Sequence, residues 1–121
     1  MRRIDNQKGF TLVEVMFVLL IVGIMMSISI PVFIDSGKKA EKNACMDNMA
    51  ILNSVYTQWY GENWLSVEPP ADYQVFLGYV YPGYLAQIPK CPEKGEYSLT
   101  IEEGQSKFSC SIHGEYTLQE K

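Results

Sequence analysis

The chain has 121 residues, 47% of them hydrophobic, and a formal charge of −4. That length allows one domain at most, and a core left over from an apolar N-terminal stretch is small enough to call for a staple or an oligomeric partner. The acidic balance argues against direct nucleic-acid binding, because the phosphates would be repelled, and no motif implies a cofactor.

Residues 1–9 form a short basic leader with Arg2, Arg3 and Lys8 against Asp5. Its removal takes away a net +2 and leaves −6 on the remainder. From Phe10 to Ile34 the chain runs 25 residues with a single charge, Glu14. As a helix this stretch is about 37 Å long, enough for a bilayer core of about 30 Å. The basic flank keeps the N-terminus in the cytoplasm and sends the C-terminus outward. An ordinary secretory signal has its small-residue cleavage site after the apolar region, so the apolar part is discarded. Here the small residue, Gly9, comes first, and a cut after it would leave the apolar helix on the mature chain.

The run Lys8-Gly9-Phe10-Thr11-Leu12-Val13-Glu14 closely resembles the processing site of type IV prepilins and related prepilin-like proteins. The resemblance is close over residues 1–36 and holds only in outline beyond them. It implies cleavage after Gly9 by a prepilin peptidase, methylation of Phe10, and later assembly with copies of the same chain. It also implies an assembly platform and an ATPase as partners, and residence in the membrane before assembly.

Glu14 is costly in an apolar helix, about 2.5–3.5 kcal/mol near a bilayer centre. It needs a positive partner, and cleavage would create one at the α-amino group of Phe10. The resemblance implies a pair between neighbouring subunits; the spacing alone also allows a pair within one chain. Gly23 and Pro31 interrupt the helix, so a kink or loosening is expected there, with Ser27 and Ser29 free to satisfy released backbone groups.

Past residue 36 the pattern turns amphipathic. Cys45, Met49, Leu52, Tyr56 and Trp59 recur every three or four positions, the mark of a helix with one buried face. This predicts a continuation of the first helix over 37–62, with Asp35-Ser36-Gly37 offering a cap for a separate helix instead. Residues 63–121 then form a small head. Ala71 to Leu85 reads as a tyrosine-rich connector with one short helical turn, broken near Pro82-Gly83. Tyr97–Ile101 and Lys107–Ile112 alternate around Glu102-Glu103-Gly104-Gln105, which predicts a β-hairpin, with Tyr116–Leu118 as a short third strand. The fold class is therefore α+β and pilin-like: a long N-terminal α-helix, membrane-spanning then amphipathic, packed on a small C-terminal antiparallel β-sheet.

Cys91 and Cys110 bracket the hairpin, and outside the cytoplasm a disulfide between them is the default expectation, with Cys45 left as a buried thiol. The competing arrangement is a zinc half-site in Cys110-Ser-Ile-His113, completed by Cys91, with Cys45 an optional further ligand.

Three functions are compatible with these features. The first is a structural subunit of a type IV pilus or pilus-like extracellular filament, serving adhesion, motility or DNA uptake. A pseudopilin of a type II secretion system ranks below it, because the two hairpin cysteines and the lack of an acidic calcium loop depart from the usual pseudopilin head. The third is a membrane-anchored zinc-binding or enzymatic domain. Against enzyme activity stand a single histidine and the absence of any nucleophile elbow, phosphate loop or helical zinc-protease motif.

Overall fold

The computed structural model describes residues 8–117. Most of the leader, including Arg2 and Arg3, and the end of the chain from Leu118 onward lie outside the described residues. The elements run α1 (Leu12–Asn63), α2 (Tyr73–Val80), β1 (Tyr97–Glu102), β2 (Gln105–Cys110) and β3 (Gly114–Glu115). Two compact units divide the chain, Met1–Gly37 and Lys38–Lys121.

In the first unit, α1 opens with a reciprocal cap. The Thr11 amide donates to Glu14 Oε2 at 2.9 Å, and the Glu14 amide donates to Thr11 Oγ1 at 3.3 Å. This capping box satisfies two donors that a helix start leaves open. Helix then runs unbroken through Gly23 and Pro31. Ser27 Oγ donates to Ile24 O at 2.7 Å and Ser29 Oγ to Met25 O at 2.9 Å. Neither hydroxyl reaches the Ser27 carbonyl, the one Pro31 deprives of its helical donor. Every large apolar side chain from Leu12 to Ile34 is exposed.

In the second unit the same helix has an inside. Its buried residues are Cys45, Met49, Leu52, Tyr56 and Trp59, the predicted stripe. Asp35-Ser36-Gly37 caps nothing: it lies within α1. The helix stops where Asn63 Nδ2 donates to Trp59 O at 2.9 Å and the Ser66 and Val67 amides turn back to Asn63 O.

The connector contains more helix than the expected single turn. Asp72 caps α2 by accepting from the Val75 amide at 2.9 Å, and Tyr73, Phe76 and Val80 point inward at helical spacing. The sheet is antiparallel in the order β1-β2-β3, with Leu99 opposite Phe108. A two-residue turn joins the hairpin, with φ of 52° at Glu103 and 79° at Gly104, the signature of a type I′ turn whose twist suits the strands. Because the turn takes two residues rather than four, β2 begins at Gln105 instead of Lys107. It ends at Cys110, leaving Ile112 in the turn that follows. The third strand starts earlier than expected: Gly114–Glu115 pairs with β2 at Cys110 and Ser109, and the Tyr116 amide donates to Phe108 O at 2.8 Å, while Leu118 lies outside the described residues.

These elements close on one core. Phe76, Phe108, Met49, Leu52, Val80 and Cys45 are fully buried. Phe76 sits at its centre, with ring centroids 5.7 Å from Tyr56, 6.5 Å from Trp59 and 5.6 Å from Phe108. It thereby joins α1, α2 and the sheet. Polar contacts fix the register of helix against hairpin: Ser106 Oγ donates to Asn53 Oδ1 at 2.7 Å, and Asn48 Nδ2 to Lys90 O at 3.0 Å.

Candidate functional site

The chemistry gathers in two places, one in each unit. In the first unit, Gly9 and Phe10 are exposed and lie outside helix, which begins only at Leu12. The bond between Gly9 and Phe10 is therefore open to solvent. A Cβ built at Gly9 would meet nothing within 4 Å. Packing among the described residues therefore places no demand for glycine there. Glu14 is held locally by the Thr11 amide, so its carboxylate sits at the start of the helix. The Thr11-x-x-Glu14 pattern is visible in the sequence as a capping box, yet the charge argument alone does not reveal it. Gly23 also has open space around it.

The apolar stretch within α1 is, among the described residues, the one segment long and apolar enough to cross a membrane. At about 25 cal/mol per Å², such a surface in water carries a large penalty. It must be covered by lipid or by protein.

In the second unit, Cys45, Cys91, Cys110 and His113 converge. Their ligand atoms all lie within 4.8 Å of one another. Cys45 comes from the buried face of α1, Cys91 from the connector before β1, Cys110 from the end of β2, and His113 from the turn after it. Cys91 and Cys110, the pair expected to bridge, and Cys45 are all free in this structure. Cys45 and His113 sit against both sulfurs, so four groups share the space that a bridge would leave to two.

Local backbone builds the cluster. The Lys94 amide donates to Cys91 O at 3.0 Å in a tight turn with Lys94 at φ 62°. A Cβ on Gly95 would lie 2.5 Å from Cys110 Sγ and 3.2 Å from Cys91 Sγ. Glycine is required at this close approach, since any side chain would drive the sulfurs apart. His113 Nδ1 lies 3.5 Å from Cys91 Sγ and 3.7 Å from Cys110 Sγ. Its other nitrogen, Nε2, is 2.7 Å from Glu93 Oε2, and the ring is only 7% exposed.

The thiols differ in acidity. Burial pushes Cys45 up to about 12. Burial also raises Cys110, but backbone amides of His113 and Ile112 and the His113 ring outweigh it and bring the thiol down to about 7. Donors aimed at a sulfur favour the thiolate.

Residues 4–30 match the prokaryotic N-terminal methylation motif. The chain is 27% identical to type II secretion system core protein G of Escherichia coli, over 98% of this chain and 83% of that protein. It is 30% identical to the protein of that name from Klebsiella michiganensis, over 87% of this chain and 80% of the relative. The Vibrio cholerae protein of the same name is 28% identical, over 80% and 73% of the two chains. No solved structure matches the chain.

Proposed function

The chain belongs to the family of type II secretion system core protein G, and from that premise we propose that its mature form is a pseudopilin, a non-catalytic subunit of a secretion filament. A prepilin peptidase cuts after Gly9 and Phe10 becomes the methylated N-terminus. The chain waits in the cytoplasmic membrane, N-terminus inside and head outside. It then leaves the lipid when its apolar helix packs against copies of itself, driven by the assembly platform and ATPase of the secretion machinery.

The observation that carries this reading is the reach of the likeness. It runs through the head and takes in 80% of the Klebsiella relative, whereas the N-terminal motif alone spans residues 4–30. That motif serves pili and pseudopili alike, so it is the reach of the likeness that favours the pseudopilin over the pilus subunit expected first. The exposed apolar side chains of α1 support assembly. So does the open space at Gly9: a glycine that packing among the described residues does not require is one that an outside agent, such as a peptidase, can require.

Deleting the gene tests the choice of filament. Enzymes normally exported to the medium should accumulate inside the cell envelope, while surface fibres and twitching persist. Normal export with lost fibres would overturn the pseudopilin reading.

A further inference from the structure

We infer that Cys45, Cys91, Cys110 and His113 bind one zinc ion, a structural centre that ties helix α1 to the hairpin of the head. In a tetrahedral site with Zn–S of about 2.3 Å and Zn–N of about 2.0–2.1 Å, simple geometry sets sulfur and nitrogen about 3.6 Å apart. His113 Nδ1 stands 3.5 and 3.7 Å from two of the sulfurs, and all four ligand atoms fall within 4.8 Å. One ring nitrogen carries at most one proton, so hydrogen bonding satisfies one of these contacts at best, whereas a metal accounts for both.

The surroundings select the same arrangement. Glu93 Oε2 stands 2.7 Å from His113 Nε2, a carboxylate that favours the proton on that nitrogen and leaves the Nδ1 lone pair to the sulfurs, the outer-shell pattern of metal-binding histidines. Gly95 leaves the sulfurs the room that a Cβ would take. Soft thiolate and imidazole donors suit zinc and exclude calcium and magnesium, which take oxygen ligands. Four protein ligands close the coordination sphere, so the ion holds structure and activates no water.

A disulfide accounts for the cluster less well. Bridging any two sulfurs strands the third cysteine, and the buried histidine is left facing a bond that takes no proton and offers only a weak acceptor. Zinc binding needs no oxidant: the three thiols release three protons to solvent and the ion sheds its waters. The ion also places the staple that so small a core needs between elements 46 residues apart, Cys45 and Cys91.

The test uses the full chain in detergent, from cells grown with ample zinc and purified without reductant or chelator. Metal analysis should give one zinc per chain, and thiol titration in denaturant three free thiols. Cobalt(II) exchanged into the site should show the strong absorption of tetrahedral thiolate coordination. His113→Gln and Cys45→Ser should each cut zinc retention at least tenfold. A wild-type chain lacking zinc, with its thiols paired or free, overturns the proposal, as does weak octahedral cobalt absorption. Should the variants not fold, the wild-type metal content and cobalt spectrum decide.

Discussion

Apolar side chains meet opposite fates in the two units. From Leu12 to Ile34 they stand exposed one after another, uncovered by any of the described residues. From Cys45 to Trp59, on the same helix, they close against α2 and the sheet. Helix formation is thus common to both, and what differs is the source of cover. The head supplies its own, and under the proposed function the first unit would take it from lipid or from other copies. Stability and assembly should therefore respond to separate sets of residues.

The largest expected effect on the head comes from Phe76→Ala. Removing a fully buried ring that touches three elements should cost about 3–5 kcal/mol. Thermal unfolding of the head should shift down by many degrees while membrane insertion stays normal. If insertion failed as well, the separation of the two units would break.

A smaller effect on stability and a larger one on assembly is expected at Glu14. Glu14→Gln keeps an acceptor for the Thr11 amide and so preserves the cap, but it removes the charge. Its head should unfold within about 0.5 kcal/mol of the parent, as surface changes usually do. Insertion and cleavage should proceed while filament yield falls. Normal filaments from Glu14→Gln would show that the carboxylate serves only to start the helix.

The same contrast explains what could be read from sequence. Repetition was legible: the apolar run, the stripe at Cys45, Met49, Leu52, Tyr56 and Trp59, and the alternation of the hairpin all follow one period over several turns or residues. Short elements were not. Helix α2 carries its signal in Asp72, Tyr73, Phe76 and Val80, but tyrosines on every side blur the period. Gly114–Glu115 is too short to alternate, and it pairs only because Gly114, at φ 81°, turns the chain back along β2.

The cysteine cluster was half legible. Cys110-x-x-His113 announces a pair of ligands at close range, and Cys91 brackets the same hairpin. Their meeting with Cys45 depends on how α1 packs on the sheet, which no local spacing encodes. Nor does the N-terminal motif separate pilus from pseudopilus, because both need the same cut and the same apolar helix. The likeness through the head is what favours the pseudopilin reading.

The central claim is that the apolar helix outlives its leader and is later covered by its own kind. Intact-mass and N-terminal analysis of the chain, recovered from assembled filament and from membrane, tests it most directly. The account predicts a filament fraction beginning at methylated Phe10. A filament built from chains that still carry residues 1–9 would contradict it.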